Sequence, residues 1–226
     1  VRRIVVAAPL ALEEALIRSG ARGAHVRKTG MGPDKSLAAV ERLSREPGDA
    51  LLVLGFCGGL DGHSRPGDVI VAEEVLATAD EGHDPARARC DGVTRLAGAL
   101  RGAGMKVRTG PIVGVGKIAT GERREQLRAM GALGCDMESP WLAAGAAGRP
   151  FAVVRVVLDS PSHELFRIQA VRGALKAAQA LRHTAAVALQ SWEPPSRTQG
   201  PAGSAGPDDG GTGSAGVHDG TARGLR

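Results

Sequence analysis

Residues 50–59 read Ala50-Leu51-Leu52-Val53-Leu54-Gly55-Phe56-Cys57-Gly58-Gly59, an apolar run that ends among glycines. A short continuous apolar run bounded by glycine is the pattern of a strand covered on both faces, where polar alternation is lost. Val153-Val154-Arg155-Val156-Val157 repeats it with one arginine inside. The same criteria predict strands over Arg3–Ala8, Ala24–Thr29, Ala50–Leu54, Asp68–Thr78, Lys106–Gly114 and Phe151–Leu158. Helical spacing or Ala-rich composition fills Leu10–Ser19, Asp34–Arg45, Gly92–Gly102, Glu122–Met130, Met137–Ala147 and His163–Ser191, with Asp34 as an N-cap. Doubly covered strands alternating with helices give an α/β layered domain.

Composition narrows the function. The chain has 226 residues, enough for one sizeable core, and its three cysteines do not form a complete disulfide framework, which points to a reducing cytoplasm. The longest charge-free stretch, Ala50 to Leu60, has 11 residues, against the roughly 20 needed to span a bilayer. The opening Val1-Arg2-Arg3 runs straight into an apolar strand, without the length or cleavage site of a signal peptide. A net charge of +5 suits an acidic partner, yet five aromatics leave little for base stacking, so nucleic acid is set aside. Six dispersed histidines form no metal-ligand spacing. From Trp192 onward the chain is rich in Gly, Pro and Ser, so the expected division is a folded domain over 1–191 and a disordered tail over 192–226.

In open α/β sheets ligands bind beyond the carboxyl ends of strands. Four such ends carry unusual residues. After the first strand stand Glu13 and Glu14; after the second, Gly30-Met31-Gly32-Pro33, a turn that brings backbone close to a ligand or adopts positive φ. After the third, Gly55 to Gly59 is expected to expose amides as an anion or hydroxyl nest. Last come Asp136-Met137-Glu138-Ser139 and, 17 residues beyond Glu138, the pair Arg155 and Asp159. An arginine in a buried strand is expensive unless a carboxylate or a ligand pairs with it, so Arg155 and Glu138 are either a structural bridge or one site.

Those segments, in that order, resemble the nucleoside phosphorylase and nucleosidase superfamily over essentially residues 1–191. The Gly-Met-Gly-Pro and Gly-Gly-Leu-Asp versions look most like hopanoid-biosynthesis phosphorylase-like proteins. The resemblance implies a nucleoside phosphorylase-like fold, a single three-layer α/β/α domain around a mixed central sheet, in a homo-oligomer. It implies cleavage of the adenine–ribose bond of a 5′-substituted adenosine, with adenosylhopane as the substrate. Methylthioadenosine, adenosylhomocysteine or futalosine as substrates, and a non-catalytic nucleoside-binding module, are the alternatives.

Carried over by residue, the resemblance makes Glu138 the ligand of the ribose hydroxyls, with Met137 beneath the sugar and Arg155 holding the group in place. Asp159 becomes the acid serving purine N7, and Glu13, or its neighbour Glu14, orients water. Phe56, Cys57 and Gly58 join the nucleoside wall, and the backbone of Ile118 or Ala119 meets the base edge. Phosphate-using relatives commonly carry a hydroxyl residue in the glycine run, where this chain has Phe56 before Cys57. That departure favours water over phosphate, although Ser64, Arg65 and Lys35 offer an alternative phosphate site. No cofactor is implied, with phosphate the one candidate co-substrate. A lipid-linked nucleoside would be met at the inner membrane surface, with Leu165 and Phe166 as candidate channel walls and His163 near the pocket.

Overall fold

The computed structural model describes residues 3–77, 83–161 and 170–194. The expectations for His163, Leu165, Phe166 and the tail from residue 195 fall outside these. The elements are β1 (Ile4–Ala8), α1 (Ala11–Gly20), β2 (His25–Lys28), α2 (Pro33–Arg45), β3 (Ala50–Gly59), β4 (Val69–Ala77) and β5 (Ala86–Arg89). They continue with α3 (Val93–Gly102), β6 (Val107–Gly114), α4 (Gly121–Ala129), β7 (Gly134–Asp136), α5 (Ser139–Leu142), a 3-10 turn (Ala143–Ala146), β8 (Phe151–Asp159) and α6 (Ala170–Ser191).

The sheet is mixed, as expected, and it closes on itself. β3 pairs in parallel with β8, β8 antiparallel with β4, β4 in parallel with β6, β6 in parallel with β7, and β7 antiparallel with β3. β1 and β2 extend from β3, and β5 hangs on β4. Side chains alternate between two helical layers with the period of two that a strand imposes. Val6, Leu52, Leu54, Val154 and Val156 meet Ile17 of α1, Leu100 of α3 and Leu181 of α6. Val5, Leu51, Val53, Val153 and Val157 meet Leu43 of α2 and Leu142 of α5. Arg155, between Val154 and Val156, therefore points to the α2 and α5 side, at register with Gly55 of β3.

Several expectations change. The glycines at 55, 58 and 59 do not form a loop nest: β3 continues through them, because their missing side chains let neighbouring groups crowd the strand. The α2 N-cap is Gly32 with Pro33 at the first helical position, not Asp34, since proline there lacks only an amide that has no helical partner anyway. The helix expected over Met137–Ala147 is one short α turn followed by a 3-10 turn, ended by Ala147 and Gly148 at φ +48° and +74°. Trp192 is 3% exposed and belongs to the core, and Pro194 is buried, so the packed domain reaches past Ser191.

Candidate active site

The carboxyl ends of β1, β3 and β8 and the segment after β7 meet around a cavity of about 150 Å³. Phe56, Cys57, Gly58, Ile118, Met137, Glu138 and Asp159 all line it, so seven of the expected residues share one wall. Glu13 and Arg155 do not line it but bond to residues that do, Glu13 to Leu10 and Phe56 and Arg155 to Glu138.

Asp136 builds the corner that presents Glu138. Its Oδ1 accepts the amides of Glu138 and Ser139 at 3.1 and 3.0 Å, and its Oδ2 accepts the Ser139 hydroxyl. Arg155, fully buried, donates from Nε to Asp136 Oδ2 at 2.7 Å and from Nη2 to Glu138 Oε2 at 3.4 Å. Gly32 at φ +94° donates its amide to Glu138 Oε1 at 3.1 Å, which is what the Gly-x-Gly turn does here. Burial pushes Glu138 up to about 7, with Arg155 pulling the other way. Arg155 thus bridges Asp136 and the cavity-wall residue Glu138. Asp136 of the same motif is its shorter-bonded carboxylate partner, at 2.7 Å against 3.4 Å for Glu138.

Of the two glutamates, Glu13 is the inward one, because Glu13 and Ile17 share the buried face of α1 while Glu14 pairs with Arg18 at the surface. Glu13 accepts the Leu10 amide on Oε2 and the Phe56 amide on Oε1, both at 2.7 Å. Burial holds it above the usual glutamate range, against the pull of Arg155 and those amides. Gly55 makes this convergence possible: a Cβ there would collide with Glu13 Oε1 and sit 2.6 Å from Arg155 Nη1. Arg155 Nη1 has no hydrogen-bond partner among the described residues.

At the other end, Asp159 pairs with Arg124, a residue the sequence reading missed. Arg124 lines the cavity and is 4% exposed, and Nε and Nη1 donate to Ala119 O and Gly59 O at 2.8 and 3.2 Å. The Ala119 carbonyl is therefore occupied, while Ile118 stands on the rim, 63% exposed. Cys57 and Cys135 both remain thiols at neutral pH: burial raises the first well above its ordinary value and the second to about 12. Ser64, Arg65 and Lys35 are not brought to the cavity wall. The Ser64 hydroxyl bonds Asp61 and receives Arg108, while Arg65 and Lys35 are exposed.

The model of the phosphorylase superfamily matches residues 14–186. Among solved structures, the 5′-methylthioadenosine/S-adenosylhomocysteine nucleosidase of Neisseria meningitidis, in complex with methylthio-immucillin-A, superimposes with a TM-score of 0.68 at 20% identity, covering 84% of this chain and 99% of that one. The corresponding nucleosidase of Helicobacter pylori gives 0.67 at 18% identity, over 84% and 97%. Futalosine hydrolase of Helicobacter pylori gives 0.67 at 17%, over 84% and 96%. No curated protein sequence matches significantly.

Proposed function

Because the chain belongs to the phosphorylase superfamily, we propose that it cleaves the N-glycosidic bond of a 5′-substituted adenosine, with water as the nucleophile. The observation that carries this reading is Glu138: a buried carboxylate on a cavity wall, held by Arg155, Asp136 and Gly32, with an Asp–Arg pair at the far end. The cavity is smaller than the roughly 300–1,000 Å³ of sites that enclose larger ligands, which suits a base and sugar with the 5′ group projecting outward.

The chemistry needs three things. Bond cleavage builds positive charge on the ribose, and Glu138 accepts the sugar hydroxyls and favours that charge. A water must be deprotonated, and Glu13 is a buried carboxylate above its ordinary pKa range, facing Arg155 Nη1 across Gly55. Those two groups are about 5 Å apart or less, a span one water bridges. General base help of this kind is typically worth ~10²–10⁴ in rate. The departing purine lies against Asp159 and Arg124.

Water is favoured over phosphate because the α2 N-terminus, a natural anion site, already serves Glu138. The finer reading is an apolar 5′ substituent of the adenosylhopane kind. Leu10, Met31 and Ile118 rim the cavity at 37%, 50% and 63% exposure, a concentration of apolar surface that a hydrophobic tail would cover. Contact with a membrane surface and a homo-oligomeric state belong to the same proposal. Among the described residues no helix is long and apolar enough to cross a membrane.

The test is adenine release from methylthioadenosine, futalosine-type nucleosides and adenosines with bulky hydrophobic 5′ groups in detergent, each with and without phosphate. The expected result is release without phosphate, fastest for the bulky apolar substrate. Intact nucleoside in every arm would overturn the enzymatic reading, and a strong preference for the small thioether would overturn the lipid one.

A further inference from the structure

The sequence reading gives purine N7 a proton from Asp159, but the carboxylate is already bonded to a guanidinium. An aspartate in that state is a hydrogen-bond acceptor. We propose that Arg124 is the catalytic group at the base, donating the hydrogen bond to N7 as the purine departs, with Asp159 as its positioning partner. This rests on the nucleosidase reading above.

Arg124 is held for such a role. Only Arg124 and Leu127 of α4 are buried; of the helix's other charges Arg123 is half-buried and Glu122, Glu125 and Arg128 are exposed. The Ala119 carbonyl, the Gly59 carbonyl and Asp159 Oδ2 accept one hydrogen each from Nε, Nη1 and Nη2. A guanidinium has five N–H donors, so the head group is fixed on three sides, and two of its donors have no partner among the described residues. Gly58 leaves room for the pair: a Cβ there would sit 3.3 Å from both Arg124 Nη2 and Asp159 Oδ1. A buried ion pair adds little to stability beyond an apolar replacement, so a charge pair on a cavity wall invites a functional account.

The step balances without an acid at N7. The C1′–N9 bond breaks and its electron pair passes to the purine. Water oxygen bonds to C1′ and yields a proton to Glu13, and the base takes a proton from solvent on release, when Glu13 returns its own. A fixed cation in a water-poor site stabilises charge as it develops on the ring, with no reorganisation at that moment.

The experiment measures kcat, KM and their pH dependence with methylthioadenosine for wild type, Arg124→Met, Arg124→Lys, Arg124→Ala and Asp159→Asn. It also measures the affinities of adenine and 7-deazaadenine, which lacks the N7 acceptor. Arg124→Met is expected to lose ~10²–10³ in kcat, the usual scale for one such donor, with KM changed only several-fold. Guanidinium ion should partly restore Arg124→Ala, and the preference for adenine over 7-deazaadenine should vanish in Arg124→Met. Should that variant fail to fold, Arg124→Lys, which keeps the charge but not the fork, should show the same loss of preference. Arg124 variants with kcat within threefold of wild type, together with a basic limb of the pH profile that Asp159→Asn removes, would return the role to Asp159 and overturn the proposal. Wild type that binds adenine but cleaves no nucleoside would instead overturn the nucleosidase reading beneath it.

Discussion

Gly32 donates its amide to Glu138 Oε1 at 3.1 Å, across 106 residues of chain. The turn that begins α2 and the corner that begins α5 are therefore one unit. A helix N-terminus attracts an anion, and here the anion is the protein's own side chain. The Gly-x-Gly turn thus aims a carboxylate of the same chain.

Glu138→Gln should weaken nucleoside binding and lower turnover, because the amide lacks the charge that favours a cationic sugar. The pH dependence follows from its position at about 7. Turnover of wild type should rise as Glu138 ionises through neutrality, and that limb should be absent in the variant. Stability moves the opposite way. A carboxyl raised above its ordinary 4.5 holds its proton more tightly folded than unfolded, so its contribution is fully present below 4.5 and lost as pH rises through about 7. Melting curves at pH 5 and pH 8 should show a smaller drop for Glu138→Gln than for wild type. Parallel slopes would remove Glu138 as a titrating group.

Gly55→Ala tests the convergence of Glu13 and Arg155. The new methyl would collide with Glu13 and sit 2.6 Å from Arg155 Nη1, so one of them must shift. Their partners are amides and carboxylates in a packed interior, which yields little. Turnover should fall by at least about tenfold, the scale on which misplaced catalytic groups lose rate, while circular dichroism stays that of the folded protein. Wild-type turnover would mean that Glu13 has no part in the chemistry.

The parts legible in the sequence are those set by local pattern. Short runs rich in Val, Ile and Leu marked β1, β2, β3, β4, β6 and β8, and the breaks in them, Arg155 and the glycines, pointed to the candidate site. β5 and β7 were not legible: Ala86–Arg89 is four residues of Ala and Arg, and Gly134–Asp136 is three residues held only by pairing with distant strands. Arg124 was hidden because Gly121–Ala129 reads as a solvated helix face; the faint signal was its i, i+3 spacing from Leu127. Closure of the sheet through β7 is a long-range event with no local signature.

Away from the site, Glu46 should set the acid limit of stability. Arg27 donates to it at 2.5 and 3.0 Å and His25 lies at 2.8 Å, holding it down to about 2 against an ordinary 4.5. A depressed carboxylate contributes stability that is fully present above 4.5 and lost as pH falls through about 2. Glu46→Gln should melt a few degrees below wild type at pH 6, with the gap closing as pH approaches 2. A gap that persists there would assign the loss to packing instead of charge.

The chain end supplies the last test. Trp192 follows α6, donates its amide to Ala188 O at 2.9 Å and is 3% exposed in the core. It packs so closely on Gly92 that a Cβ there would lie 2.7 Å from its Nε1, and Gly92 at φ +69° is the N-cap of α3. Trp192 thus joins α6 to the start of α3, although Gly and Pro beyond it disguise it as the first tail residue. The Arg95–Glu193 ion pair beside it is exposed at both partners and adds little. A chain ending at Pro194 should therefore keep the melting temperature and turnover of the full chain, since the segment beyond has no apolar periodicity. One ending at Ser191 should be destabilised by about 3–5 kcal/mol, the usual cost of deleting a buried tryptophan. For a domain of this size that corresponds to a melting temperature lower by roughly ten degrees. Equal melting of the two truncated chains would show that Trp192 contributes nothing to the fold.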